Sequence, residues 1–323
     1  MIVSLVAAVR RERAAIGSFL DSVAAQDLTD TDWEVIVADG MSDDGTRDIL
    51  DRRAGEWPRL TVIDNPGGIA ATGLNAAIRR AHGDVIVRMD AHTEYAPDYV
   101  RECLAALEHT GADNVGGPAQ TRARGWLQRG IAAAFHSPFA SGGARFHNPQ
   151  YEGPVDTVPY GCWRRTTLAR VGLFDETLAH NQDDELNLRI VRSAGQVWQS
   201  PRIRSWYRPR RTLRALFVQQ FQYGFWKVAV IRKHGWPASW RHLAPGTAVL
   251  LAIVLAGLSP FWPWPLEALG ALAGLWLICA LVASLAASRR HGWDLLPLLP
   301  AVFATYQTAY GLGFLTGLLN RGR

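Results

Sequence analysis

A carboxylate and an imidazole follow a short apolar run in residues 84–95, DVIVRMDAHTEY. The run Val85–Val87 is followed by Asp90 and His92, which are separated by one alanine. Both side chains can bind a divalent cation, and Mn²⁺ tolerates an imidazole better than Mg²⁺ does. Taken alone, this pair could be either a cation site or a solvated turn after a strand.

A second acidic residue, Asp39, ends another apolar run and is followed by Gly40 in residues 37–50, VADGMSDDGTRDIL. Its carboxylate could accept hydrogen bonds from a base or a ribose. The turn and the start of the next helix would offer backbone N–H groups at close range. Because Asp-Gly turns are common, the motif alone does not separate a nucleotide site from an ordinary turn.

Three consecutive acidic residues, Asp183, Asp184 and Glu185, lie within residues 180–189, HNQDDELNLR. Acidic residues are favourable in the first turn of a helix, where they face the positive end of its dipole, and Asn181 could cap such a helix. The alternative is that one of the three serves as a general base.

These side chains need elements to position them, and the first 120 residues alternate apolar runs with helical patterns. Continuous apolar runs separated by helices predict an α/β fold with a mostly parallel sheet covered on both faces. Ligands bind at the carboxyl ends of such strands, where Asp39 and Asp90 are expected. We expect strands at Ile2–Val9, residues 34–40, Leu60–Ile63 and Val85–Met89.

Composition separates a polar first part from an apolar end. The chain has 323 residues and a formal charge of +5, and positive charge is concentrated between Leu186 and Leu266, a stretch without Asp or Glu. The cysteines Cys103, Cys162 and Cys279 are far apart, which argues against a disulfide framework or a zinc site and predicts a reducing compartment. The first residues are typical of a strand rather than of a secretory signal.

Three apolar stretches, at about 247–264, 268–287 and 295–319, are long enough, or nearly so, to cross a hydrocarbon core of ~30 Å. The basic, aromatic segment before them fits an anionic membrane surface better than a nucleic acid, because it runs directly into these stretches. The positive-inside rule then places the first domain on the cytoplasmic side of the inner membrane. A third span would leave Arg321 and Arg323 outside, which the rule disfavours, so an interfacial position for the last stretch stays open.

We therefore expect three parts in the chain. Residues 1–210 would form a cytoplasmic catalytic domain, and residues 211–242 a basic, aromatic, interfacial helical segment. Residues 243–323 would form a membrane domain with about three transmembrane helices.

Three ordered motifs, at residues 37–50, 73–92 and 171–190, resemble those of family 2 inverting glycosyltransferases with the GT-A fold. More closely, the chain is similar to the bacterial glycosyltransferases of succinoglycan-type exopolysaccharide assembly, which share the Asp-Ala-His and the basic, aromatic segment before membrane helices. The resemblance covers residues 1–235 in motifs and the remainder in layout. It implies a Rossmann-like GT-A domain followed by transmembrane helices.

The resemblance also assigns residues to the donor. It places Asp39 and Gly40 at the base of a nucleotide sugar. It places Asp90 at a divalent cation, Mg²⁺ or Mn²⁺, with His92 in the position of the family's second Asp. Glu12 keeps the acidic residue of the family's Asn-Glu pair after the first strand, with an arginine in place of the Asn.

For the acceptor side, the family's Glu-Asp pair matches Gln182-Asp183, which makes Asp183 the general base. A phenylalanine stands where processive synthases carry an arginine, which favours the addition of one sugar per cycle. The segment with Gln222 and Trp226 resembles the Gln-x-x-Arg-Trp motif of processive synthases, which places both residues at the substrates. Asn75 could position the loop beside the metal or be an ordinary amide on a helix face. Arg189 could reach phosphate or simply hold the acidic turn.

The function implied by the resemblance is transfer of a hexose with inversion from a nucleotide-diphosphate sugar, with UDP-glucose as the first candidate. The acceptor would be a polyprenyl-linked saccharide in exopolysaccharide or cell-surface glycan assembly, and membrane lipids, not nucleic acid, would be the other partner. Two alternatives remain open at this point. One is a polyprenyl-phosphate sugar synthase, and the other is a non-catalytic membrane protein that binds nucleotide sugars.

Overall fold

The computed structural model describes residues 1–29 and 31–320, and the chain divides into two compact units. The first unit contains residues 1–120 and 148–208, and the second contains residues 121–147 and the chain from 209 onward. Residues 121–147 thus belong with the C-terminal helices although they interrupt the first unit in the sequence. The two units are described separately below.

The chain alternates strands and helices up to residue 207 and is helical after it. The strands are β1 (Ile2–Val9), β2 (Asp32–Asp39), β3 (Leu60–Asp64), β4 (Val85–Arg88), β5 (Thr93–Tyr95), β6 (Asn114–Gly116), β7 (Gln120–Thr121), β8 (Gly153–Pro154), β9 (Cys162–Arg164), β10 (Val197–Gln199) and β11 (Ser205–Tyr207). The helices are α1 (Ile16–Ala24), α2 (Thr46–Glu56), α3 (Ala70–Arg80), α4 (Tyr99–Thr110), α5 (Trp126–Phe135), α6 (Pro138–Ser141), α7 (Arg165–Val171), α8 (Gln182–Arg192), α9 (Leu213–His234), α10 (Ala244–Leu258), α11 (Trp264–His291) and α12 (Leu299–Leu319). Short 3₁₀ turns lie at Arg145–His147, Trp240–His242 and Trp293–Leu295.

The first unit is built on a sheet with the strand order β3-β2-β1-β4-β9-β6-β10-β8. Strands β3, β2, β1 and β4 are parallel, whereas β9 runs antiparallel to both of its neighbours, β4 and β6. Val9 at the end of β1 is in register with Asp39 at the end of β2. The carboxyl ends of the parallel strands therefore meet at one edge of the sheet, as the sequence predicts.

Helices cover both faces of this sheet. On one face, Val85 and Val87 of β4 share a core cluster with Phe19 of α1 and Tyr99 of α4. On the other face, Ile86 shares a second cluster with residues of α3 and α8, which include Leu74 and Leu186. Successive side chains of a strand point to opposite faces, so an uninterrupted apolar run is required where both faces are buried. The predicted α/β architecture is confirmed.

In the second unit, α9 packs along α12 through glycines. A Cβ placed on Gly224 would collide with the carbonyl oxygen of Tyr310, and one on Gly313 with that of Phe221. Without side chains at these positions the two helix backbones approach closely, which is typical of helix packing in membranes.

Two helical segments, Trp240–Leu258 and Trp264–His291, are long and apolar enough to cross a membrane, by length and composition. Most of their large apolar side chains are exposed, which suits a lipid environment. The apolar C-terminal helices are thus present as predicted, while a third span at α12 stays a prediction. Arg321 and Arg323 lie outside the described residues.

Candidate active site

The two acidic residues singled out at strand ends flank the end of β1. Asp39 is the last residue of β2, which pairs with β1 on one side. Asp90 comes two residues after β4, which pairs with β1 on the other side, and the backbone N–H of Met89 donates to the carbonyl of Val6. The fold therefore brings both carboxylates to the edge at which ligands bind in open α/β sheets.

Asp39 has a buried side chain with one oxygen in use. Its Oδ2 accepts a hydrogen bond from the backbone N–H of Ser42 at 3.1 Å, and Nη1 of Arg47 lies 3.9 Å from the same oxygen. Within the described part of the chain, Oδ1 is buried and has no hydrogen-bond partner. A buried carboxylate oxygen without a donor is costly, so this atom is suited to receive an N–H group from a ligand.

The turn after β2 is tied to the loop after β1. The backbone N–H of Arg11 donates to Oγ of Ser42, and the backbone N–H of Glu12 donates to Oγ1 of Thr46. Gly40 leaves room for the side chain of Arg10, because a Cβ on Gly40 would lie 3.0 Å from that of Arg10. These contacts hold Glu12 and Gly40 at the same edge as Asp39.

Asp90 is held by the arginine two residues before it. Nε and Nη2 of Arg88 each donate to one oxygen of the Asp90 carboxylate, both at 2.8 Å. Burial alone would raise the pKa of Asp90, but the charge and hydrogen bonds of Arg88 outweigh it and hold the pKa below the ordinary value. Asp90 is therefore ionised at neutral pH, and both oxygens already accept hydrogen bonds.

His92 lies next to Glu12 at the surface of the site. Its side chain is half exposed, Nδ1 is 3.6 Å from Oε1 of Glu12, and the ring meets that of Tyr207 edge to face. Among the described residues, no group of three or more His, Cys, Asp or Glu side chains could hold a metal ion. The side chains present suit a cation that takes one or two ligands from the protein and the others from a diphosphate.

The proposed base lies in the first turn of α8, which begins at Gln182. Asn181 adopts the left-handed conformation, with φ of 62°, but makes no side-chain cap hydrogen bond to this helix. Oδ1 of Asp183 accepts a hydrogen bond from the backbone N–H of Asp184 at 2.9 Å. The Asp183 carboxylate also acts on Arg88: burial favours a lower pKa of Arg88, but Asp90 and then Asp183 raise it above the ordinary value.

Arg189 is occupied inside the first unit. Its Nε and Nη2 bind the fully buried Glu185, Nη1 donates to the carbonyl of Val171, and Nη2 also donates to that of Leu173, the last two contacts being 2.6 Å long. These contacts give no support to a role for Arg189 in substrate binding. They tie α8 to the end of α7 and the segment that follows it.

Asn75 has a similar bridging position on α3. Its Nδ2 donates to the carbonyl of Phe174 and to Oε1 of Glu176, and its Oδ1 accepts from the backbone N–H of Phe174. Gln222 and Trp226 lie on α9, in the second unit, where Nε1 of Trp226 donates to Oε1 of Gln222 at 3.2 Å. The assignment of these three residues to the substrates stays a prediction.

Sequence reasoning missed Arg88. Its signal was present, because an arginine as the last residue of a buried apolar strand requires a partner. The structure shows that the partner is Asp90, the residue for which the strand end had been singled out.

Comparison with known proteins gives a consistent family assignment. Residues 4–171 match the family model "Glycosyl transferase family 2". The succinoglycan biosynthesis protein ExoA of Rhizobium meliloti is 32% identical over 259 residues, which cover 77% of this chain and 78% of that protein. A dolichyl N-acetyl-alpha-D-glucosaminyl phosphate 3-beta-D-2,3-diacetamido-2,3-dideoxy-beta-D-glucuronosyltransferase of Methanococcus voltae is 24% identical, over 80% of this chain and 83% of its own length.

Solved structures agree on the fold. The mannosyltransferase PcManGT of Pyrobaculum calidifontis, solved with GDP-Man and Mn²⁺, superposes with a TM-score of 0.63 at 20% identity, over 99% of this chain and 88% of that one. TarS of S. aureus (residues 1–349) gives a TM-score of 0.51 at 16% identity, over 99% and 92%. The predicted family and GT-A fold are confirmed. The chain is a glycosyltransferase and belongs to glycosyl transferase family 2.

Proposed function

We propose that this protein transfers a hexose with inversion from a nucleotide-diphosphate sugar, with UDP-glucose as the first donor to test, to a polyprenyl-linked saccharide. The proposed context is exopolysaccharide or cell-surface glycan assembly. Similarity to ExoA over most of both chains supports this context. PcManGT was solved with GDP-Man and TarS with UDP-GlcNAc, which supports a nucleotide sugar as the donor class.

One observation carries the donor assignment, which is the buried and unpartnered Oδ1 of Asp39. A uracil ring presents an N–H between two carbonyl groups, so it can donate to this oxygen. The donor would thereby remove the cost of an unsatisfied buried carboxylate oxygen.

The chemistry assigned to the protein is a single displacement. The acceptor hydroxyl attacks C1 of the sugar, its proton passes to Asp183, and the C1–O bond to the diphosphate breaks with the electron pair leaving on the diphosphate. Attack from the face opposite the leaving group inverts the configuration at C1. Asp183, in the first turn of α8, is ordered by its contact with the backbone of Asp184.

A divalent cation, Mg²⁺ or Mn²⁺, would neutralise the charge that develops on the leaving diphosphate. Asp90, held in place by Arg88, and His92, beside Glu12, are the side chains proposed to hold it. The Mn²⁺ present with PcManGT supports a cation of this kind.

The apolar segments Trp240–Leu258 and Trp264–His291 support a position at the membrane, where a polyprenyl acceptor resides. The basic residues before the first segment and at the end of the second, Arg289 and Arg290, support the cytoplasmic side of the inner membrane for the catalytic domain.

The test is transfer of label from a panel of radiolabelled nucleotide sugars to membrane lipid extract, with purified protein in detergent. We expect label in the organic phase for the wild type and for Asp184→Asn, and none for Asp183→Asn, which should still bind UDP. Full activity of Asp183→Asn with polyprenyl phosphate as acceptor would support a polyprenyl-phosphate sugar synthase instead. Absence of UDP release above background with every donor would refute the catalytic proposal.

A further inference from the structure

Arg88 has contacts in the site that the proposed chemistry does not explain. It ends β4 on the face of the sheet that Ile86 shares with Leu186 of α8, and its guanidinium carbon lies 5.9 Å from the ring centroid of Phe174. Its side chain is only 7% exposed. An arginine is thus placed, within the interior, on the face covered by the helix that begins at Gln182.

One nitrogen of the Arg88 guanidinium, Nη1, makes no hydrogen bond within the described residues. Of its donors, Nε and Nη2 are used on the two oxygens of Asp90. Within the described part of the chain, Nη1 is buried and has no hydrogen-bond partner. A planar guanidinium can bind a second oxygen group through its free edge while it holds a carboxylate on the other. A buried N–H that lacks an acceptor is costly, so an acceptor at Nη1 would remove this cost.

Asp183 is, after Asp90, an acidic residue whose charge acts on this side chain. It belongs to the first turn of α8, and Leu186, less than one turn further along α8, packs in the same core cluster as Ile86. Its Oδ1 accepts a hydrogen bond from the neighbouring backbone N–H of Asp184.

We propose that Arg88 is a positioning residue of the transfer reaction, which holds the Asp90 carboxylate with Nε and Nη2 and takes the Asp183 carboxylate on Nη1. The cation-binding end and the base of the site are then oriented by one rigid group. The inference rests on the proposed function of Asp183 as base. Failure of this inference can be distinguished from failure of the proposed function, because the contact of Arg88 with Asp90 can be tested by Mn²⁺ binding, without an assay of sugar transfer.

The variants are Arg88→Gln and Arg88→Lys, with Arg165→Gln as the matched control. Arg165 also lies at the sheet of the first unit, and its guanidinium donates to the backbone carbonyls of Gly83 and Ala81. Thermal unfolding in detergent identifies any variant that fails to fold. The double variant Arg88→Gln/Asp90→Asn removes both charges of the pair and keeps similar side-chain volumes, so it provides a second folded background.

For Arg88→Gln we expect kcat to fall at least 100-fold, while the Kd for UDP stays within threefold of the wild type. Arg88→Lys should recover part of kcat because it restores the charge, and Arg165→Gln should keep wild-type kcat. A kcat for Arg88→Gln within threefold of the wild type overturns the proposal. A Kd for UDP that rises as much as kcat falls also overturns it, because Nη1 would then bind the donor.

The second readout is Mn²⁺ binding to the donor-free protein, followed by electron paramagnetic resonance. Loss of the guanidinium releases both oxygens of Asp90, so Arg88→Gln should bind Mn²⁺ at least 10-fold more tightly than the wild type, and the double variant should lose this gain. Unchanged Mn²⁺ affinity overturns the proposal even if no transfer assay succeeds. If Asp183→Asn remains active while Arg88→Gln binds Mn²⁺ more tightly as expected, Asp183 is not the general base, but the contact of Arg88 with Asp90 is supported.

Discussion

Replacing Arg189 by methionine tests whether this residue stabilises the fold or binds substrate. Glu185 is fully buried and receives three hydrogen bonds from the guanidinium, which also donates to the carbonyls of Val171 and Leu173. Removing one partner of a buried ion pair leaves the other charge unpaired and costs about 3–5 kcal/mol. Since about 1 kcal/mol lowers the melting temperature by about 2–4 °C in a domain of this size, we expect a decrease of about 6–20 °C.

The assay is thermal unfolding in detergent, together with the KM for the donor. Arg192→Met is the control, because Arg192 lies on the same helix with an exposed side chain, and a surface change of this kind costs at most about 0.5 kcal/mol. At a temperature where both variants are folded, Arg189→Met should keep a KM near that of the wild type. A wild-type melting temperature with a KM raised 10-fold or more would refute the structural role and support contact with the donor.

Three further predictions concern other parts of the chain. Gly313→Ala should lower the melting temperature, because the new Cβ would collide with the carbonyl oxygen of Phe221. Gly274→Ala is the control and should not lower it, because a Cβ there meets nothing within 4 Å. Equal melting temperatures of the two variants would contradict the close packing of α9 on α12. Burial lowers the pKa of His147 to about 3 from 6.5, so the unfolded chain binds more protons between these values. As the pH decreases below 6.5, the free energy of unfolding should therefore fall by up to about 1.4 kcal/mol per pH unit. Chemical denaturation at several pH values should show that the free energy of unfolding of His147→Gln depends less on pH. Asp39→Ala should weaken UDP binding by about 10- to 150-fold, since a hydrogen bond to a charged group contributes about 1.5–3 kcal/mol. An unchanged Kd for UDP in calorimetry would show that Asp39 does not bind the uracil ring.

The parallel half of the sheet could be predicted from the sequence because its strands are buried on both faces. The runs expected at residues 34–40 and Val85–Met89 correspond to β2 and β4, with ends that differ by one or two residues. Strands β6, β9 and β10 have three residues each, too short for a periodicity to be recognised. The grouping of residues 121–147 with the C-terminal helices depends on contacts distant in sequence, which no local pattern encodes.

The site shows the same limit. The rule that ligands bind at the carboxyl ends of parallel strands was sufficient to place Asp39 and Asp90 at one edge. Arg189, in contrast, had two possible roles, which were binding phosphate and holding the acidic turn, because a charged side chain one turn after an acidic cluster has the same sequence pattern whether it faces a ligand or the interior. Its pairing with the fully buried Glu185 has the i,i+4 spacing typical of helices and favours the second role, while contact of Arg189 with substrate stays a prediction.

The charge at the end of β4 explains how a histidine can replace the family's second Asp. An Asp-x-Asp pair offers a cation two negative charges, whereas here the charge of Asp90 is cancelled by Arg88 and His92 adds none when neutral. Glu12, next to His92, is then one negative group near the proposed cation ligands, and Asp183, whose charge acts on Arg88, is another. A donor-free site with this balance attracts a free divalent cation weakly and a diphosphate more strongly than an Asp-x-Asp site would. We therefore expect the cation to bind together with the diphosphate, which supplies most of the negative charge. Mn²⁺ titrations with and without UDP should differ at least 10-fold in affinity, and equal affinities would contradict the argument.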